Sequence, residues 1–146
     1  MAFKNDYKTF CIRRIKKMSS EIKPNLKYTK DHEWAEIKGD IVAIGITDFA
    51  QSALGDIVFL EIPAIGKELV QGSTFGVVES IKSVSDLYAP LSGEVIERND
   101  SLESHPEKLN NDPFGSWLIK VKIKNESELK NLLSAADYQT HCSSSN

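Results

Sequence analysis

The chain has 146 residues, 40% of them hydrophobic, which suits one domain with a single modest core. Its formal net charge is -3, but residues 1–17 hold six basic side chains and one acid; without them 12 basic and 20 acidic residues remain, a net -8. An acidic body excludes nucleic acid, whose phosphates need Lys and Arg, and favours encounter with proteins that carry basic faces.

No apolar run approaches the roughly eighteen residues of a membrane span. Cys11 and Cys142 lie near opposite ends. A disulfide tying the termini and two reduced thiols of a cytosolic protein both fit, the second better. There is no CxxC, and His32, His105 and His141 are scattered, which argues against a metal site.

The opening "MAFKNDYKTFCIRRIKKMSS" is basic, acid-poor and ends in serines. It reads either as an organelle transit peptide or as an extension upstream of an internal start at Met18. The first reading places the protein in the mitochondrial matrix, the second in the cytoplasm. Residues 1–20 are set aside as this extension, 21–138 are expected to hold the fold, and 139–146 to be a polar, frayed tail.

Tyr28 to Lys38 alternates loosely, and Gly39-Asp40 turns the chain. Ile41 to Ile46 is a β-branched strand fit for burial on both faces. Thr47 is a good helix N-cap for "DFAQSAL", which Gly55 can close. Asp56–Ile62 is a strand, Pro63 to Gly66 a turn, and Lys67–Val70 a short strand ended by Gln71-Gly72. Ser73–Glu79 and Val84–Ala89 are strands on either side of Lys82, and Glu94–Asn99 follows another turn. "SLESHPEKL" is loop with a helical turn, and "NNDPF" signals a turn. In "SWLIKVKIK", Trp117, Ile119, Val121 and Ile123 face one way and the lysines the other. Asn125–Leu133 is expected to be a short amphipathic helix carrying Leu129, Leu132 and Leu133. Many short strands with frequent turns predict a small, mainly β barrel or sandwich. "LGDIVFLEI" and "LSGEVIERN" echo each other and hint at two similar halves.

The usual catalytic signals are missing. There is no GxSxG around Ser80 or Ser83, and "GSTFG" lacks the Lys-Ser/Thr of a phosphate loop. Glu33 and Asp48 are candidate acid/base residues, but solvated surface acids explain them better. Asp31-His32 and His105-Pro106 read as loop-ordering pairs. Lys82 stands out because its turn, Ser80-Ile81-Lys82-Ser83, contains no Gly, Asn or Asp. A solvated turn lysine and a lysine held out for covalent modification are both open on spacing alone. Ile81 and Val84 beside it would give an attached group an apolar footing.

The segments "LKYTKDHEW", "GITDFAQSALGDIVFLEIPAIG", "GVVESIKSVSDLYAPLSGEVIERND" and "LNNDPFGSWLIKVK" resemble the H protein of the glycine cleavage system, and together they span nearly all of Leu26 to Leu133. Ile81 before Lys82 and Ser83 after it separate the chain from biotin carriers and from dehydrogenase lipoyl domains. The resemblance implies a flattened barrel-sandwich hybrid of two antiparallel sheets with short helices, including a C-terminal one. It implies (R)-lipoate amide-linked to Lys82 at a hairpin tip, on a carrier that catalyses nothing itself. The implied partners are a decarboxylase (P protein), an aminomethyltransferase (T protein), a dihydrolipoamide dehydrogenase (L protein), and a lipoate ligase or lipoyl transferase. A monomer with no nucleic acid and no membrane partner is expected. By position, Glu33 of the HEW motif and Asp86, four residues past the lysine, would line a cleft that shelters the loaded arm.

Two departures stand out. Family members often carry a His where this chain has Ala53. "DPFGSW" is one residue shorter than the usual late motif and lacks its second Gly, which leaves the geometry of that loop open. Two other roles remain: a lipoyl relay to 2-oxoacid dehydrogenase complexes, and an unlipoylated β-barrel binding module.

Overall fold

A computed structural model describes residues 20–144. The basic leader, both readings of its origin, and Cys11 lie outside the described residues, apart from Ser20. Among the described residues, nine strands form two antiparallel sheets. The larger has the order β1-β2-β3-β9-β8-β5, built from β1 (Lys27–Tyr28), β2 (Glu33–Lys38), β3 (Ile41–Ile46), β9 (Ile119–Ile123), β8 (Gly93–Arg98) and β5 (Glu68–Leu69). The smaller has the order β4-β6-β7, from β4 (Ile57–Glu61), β6 (Thr74–Ser80) and β7 (Val84–Tyr88). The fold is thus mainly β, as expected.

Alternation positions the core. Val42, Ile44, Val95, Ile119 and Val121 face inward from the large sheet and are fully buried. Leu60, Phe75, Val78 and Leu87 meet them from the small one. The echo noted in the sequence falls on β4 in one sheet and β8 in the other. Where β2 and β3 cross, Trp34 lies opposite Gly45, and a Cβ at Gly45 would collide with the indole. Helix α1 (Asp48–Leu54) has the expected bounds: the Thr47 hydroxyl accepts from Ala50 N–H, and Gly55 ends it at φ 81°, ψ -155°. Two single-turn helices follow later, α2 (Ser101–Ser104) and α3 (Lys108–Asn111).

The C-terminal region departs from the expectation. Asn125 caps a 3-10 helix over Glu126–Asn131, and no α-helix runs through Asn125–Leu133. Leu133 instead pairs with Tyr28 in both directions, N to O at 2.9 and 2.7 Å, which holds that backbone extended. The α-helix comes afterwards, as α4 (Ala135–Ser144), with the Ser134 hydroxyl accepting from Asp137 N–H. Residues 139–144, expected to fray, are therefore helical. Tyr138 and Cys142, four apart, form the buried stripe that docks α4. Tyr138 stacks on Tyr28 with ring centroids 4.5 Å apart, and Cys142 is a buried free thiol. No helix among the described residues is long and apolar enough to cross a membrane.

Candidate functional site

The turn Ser80-Ile81-Lys82-Ser83 joins β6 to β7. None of its residues has positive φ, so it does not use the usual hairpin geometry. Ser80 replaces glycine by a different device. Its side chain is turned inward, 8% exposed, and its hydroxyl oxygen accepts from the N–H groups of Lys82 at 3.3 Å and Ser83 at 3.1 Å. Ser80 N–H also donates to the Ser83 carbonyl at 2.8 Å. A serine hydroxyl can bond nearby backbone in this way and fix a turn without left-handed residues.

The tip is also tied down from outside. Ile81 N–H donates to the carbonyl of Asp56, at the junction between α1 and β4. Lys82 is exposed, and its stem lies over Gly55: a Cβ built there would sit 3.4 Å from Lys82 Cε and 4.0 Å from Nζ. The amine has no hydrogen-bond or ion-pair partner among the described residues. Asn110, in α3, holds the junction beneath it. Its Oδ1 accepts from Ile57 N–H at 2.9 Å, and its Nδ2 donates to the Gly55 carbonyl at 2.8 Å and to Gln51 Oε1 at 3.0 Å.

The surroundings of the tip are apolar with acids between. Ile81, Val84, Val58 and Phe59 are 72%, 68%, 54% and 46% exposed. Register places Phe59, Glu79 and Val84 in one row across the small sheet, and Glu61, Val77 and Asp86 in the row after the buried Leu60 and Val78. Ile81 and Val84 do flank the lysine.

Glu33 and Asp86 sit differently from one another. Asp86 is exposed on β7. Glu33 is 1% exposed at the start of β2. The Thr29 hydroxyl donates to its Oε1 at 2.5 Å, and Tyr88 N–H donates to Oε2 at 3.2 Å. It lines a small cleft of about 180 Å³ with Thr29, Asp31, Gln71 and Tyr88. Burial pushes its carboxyl up to about 7, against the two hydrogen bonds that favour the ionised form. Asp86 thus lies on β7 and Glu33, on β2, meets the end of β7 at Tyr88; the two share no hydrogen bond. At about 3.3 Å per residue, Asp86 is roughly 7 Å and Tyr88 roughly 13 Å along the strand from Val84. Lys82 is at the far end of the hairpin from Glu33.

Ala53 is exposed on α1, two residues before Gly55. The shortened loop closes neatly: Gly115 N–H donates to Asp112 Oδ1 at 3.1 Å, the buried Ser116 hydroxyl donates to the Lys108 carbonyl, and the Trp34 indole N–H donates to the Pro113 carbonyl at 3.1 Å. His32 does order a loop, at φ 72°. Its ring stacks on Phe49, and Nδ1 lies 2.7 Å from the Tyr138 hydroxyl. Burial and the nearby His141 lower its proton affinity. Asp48 accepts from Glu21 N–H and from the Gln51 amide, and His105 is exposed.

Three residues of the site were not singled out from sequence for these roles. Ser80 reads from sequence only as a turn residue without a nucleophile motif, although a turn without Gly or Asn is the signal for such a hydroxyl. Gly55 was read only as a helix end. Asn110 was read only as part of a turn, and nothing local marks its bonds to Gly55 and Ile57.

Comparison with known proteins agrees with this geometry. The family described as Glycine cleavage H-protein matches residues 26–145. The chain is 54% identical over 121 residues to the glycine cleavage system H protein of Carboxydothermus hydrogenoformans, covering 82% of this chain and 93% of that one. It is 52% identical over 115 residues to the H protein of Staphylococcus haemolyticus, covering 78% and 91%. The crystal structure of a glycine cleavage system H protein from Mycobacterium marinum superposes with a TM-score of 0.75 at 38% identity, over 84% of this chain and 99% of that one. The chain belongs to the glycine cleavage H-protein family.

Proposed function

We propose that this protein is the lipoyl carrier of a glycine cleavage system, with lipoate amide-linked to Lys82. The observation that carries the reading is the tip itself. An exposed lysine, whose amine has no hydrogen-bond or ion-pair partner among the described residues, stands on a turn fixed by Ser80 and by the Asp56 carbonyl. A turn held this way gives a ligase or lipoyl transferase one backbone shape to grip and one amine to reach. The residues fit the group. Amide formation removes the lysine charge, and the apolar Ile81, Val84 and Phe59 offer the attached chain a dry surface.

When bound, lipoate supplies a dithiolane that accepts an aminomethyl group at the P protein, yields it at the T protein and is reoxidised at the L protein. This chain's residues provide attachment and shelter, and none of them performs the chemistry. Tethering gives each partner a high effective concentration of its substrate. Glu33, in the cleft beside Tyr88, and Asp86, exposed on β7, are the residues that would meet an arm laid along that strand, where a carboxylate would pair with an ammonium group. Glu33 ionises near neutrality, so a nearby cation would draw it into the charged form. The exposed apolar patch with its interspersed acids is the surface that docking enzymes would meet.

Reconstitution with P, T and L proteins tests the reading. Lys82→Ala is expected to abolish glycine decarboxylation while circular dichroism remains native. Full activity in that variant would rule the shuttle out.

A further inference from the structure

We propose that Asn110 is a positioning residue for the acylation of Lys82: it sets the Gly55 platform on which the lysine stem rests. This inference depends on Lys82 being the attachment site. It concerns how the amine is held for the enzyme that modifies it.

The stem of an exposed lysine normally samples many rotamers, and an enzyme must find the productive one. Here the stem has a seat. Gly55 has no side chain, and Lys82 Cε lies within van der Waals distance of where one would begin. The seat is itself a backbone conformation only glycine adopts easily, φ 81° and ψ -155°. Such a conformation persists when its surroundings hold it. Asn110 is the main constraint from outside α1. One amide group bonds the Gly55 carbonyl and the Ile57 N–H, on the two sides of Asp56. The carbonyl of Asp56, between those two anchors, receives Ile81 N–H from the hairpin tip. Asn110 therefore holds the stem's platform and the tip's tether through the same three residues. It touches neither the amine nor any incoming group, so its influence is on pose alone.

The test is the kinetics of lipoyl transfer to the intact protein by a lipoate ligase with lipoate and ATP, followed by intact mass. In Asn110→Ala the docking surface is unchanged but the seat is loose. The maximal rate is expected to fall on the order of tenfold, the usual scale for small misplacement of a reacting group, with the KM for the carrier held within about twofold. Asn110→Asp keeps the acceptor for Ile57 N–H, loses the donor to the Gly55 carbonyl, and is expected to behave like the alanine variant. Gln51→Ala removes the acceptor that steadies Nδ2, together with the amide's bonds to Asp48 and Ser52, spares the Asn110 bonds to backbone, and is expected to lower the maximal rate by a smaller factor. It carries the test if the Asn110 variants do not fold. Acetylation of Lys82 by a small N-hydroxysuccinimide ester, which needs no enzyme pose, is expected at the wild-type rate in every folded variant. Wild-type maximal rates in the folded variants, or a loss confined to KM, would overturn the proposal. Failure of the wild-type protein to accept lipoate at Lys82 would instead overturn the carrier reading on which it rests.

Discussion

At the scale of single residues, the hairpin tip depends on a hydroxyl. Ser80→Ala removes the acceptor for two backbone N–H groups. It is expected to cost about 1 kcal/mol in urea unfolding and to speed amide exchange at Lys82 and Ser83. Glu33 makes a pH-dependent contribution. Its carboxyl titrates near 4.5 unfolded and about 7 folded, so the unfolded chain ionises first and stability is lost as pH rises between those values. Glu33→Gln removes that loss. The stability of the variant relative to wild type is expected to rise by about 3 kcal/mol from pH 4 to pH 8, measured by denaturant titration at each pH. His32 contributes the opposite slope below 6.5, because its proton affinity is lowered on folding. That slope is present in both proteins and cancels in the difference. Lys82 was legible in sequence because its turn broke a rule and because the segments around it matched a family. Asn110 was not, since its partners lie 53 to 59 residues away.

At the scale of elements, strands were readable and the C-terminal helix was expected from the resemblance, but its bounds were not readable, for a physical reason. A strand's two faces alternate, so Ile41–Ile46 and Ile119–Ile123 announce themselves locally. Helix α1 is read from its caps, Thr47 and Gly55. Helix α4 has only Tyr138 and Cys142 as a buried stripe, and its position is decided by Tyr28, more than a hundred residues earlier. Leu133 looks helical in sequence but is claimed by backbone pairing with that same tyrosine. The Tyr138 hydroxyl then ties α4 to the start of α1, lying 2.7 Å from both His32 Nδ1 and Thr47 Oγ1. Tyr138→Phe is expected to cost about 1–3 kcal/mol, since it leaves buried polar partners behind. Hydrogen exchange is expected to show α4 losing protection before the β core.

At the scale of the whole molecule, two sheets enclose one core, a second cluster docks the C-terminal helix, and the lysine stands outside both. The hairpin that carries Lys82 adds its inner residues Val78 and Leu87 to the core and leaves its tip in solvent. Changes at Lys82 and changes to the fold are therefore separable. Lys82→Ala is expected to unfold within about 0.5 kcal/mol of wild type, because the side chain makes no buried contact. The β architecture was legible from strand spacing. The sheltering role proposed for Glu33 and Asp86 rests on the resemblance; pattern alone does not pair them, because one acid is buried behind the foot of the hairpin and the other is exposed along its length. The central claim is that Lys82 carries lipoate. The most direct measurement is intact and peptide mass spectrometry of the protein isolated from its own cells with lipoate ligation active. The account predicts the mass of one lipoyl amide, localised to Lys82; an unmodified Lys82 under those conditions would contradict it.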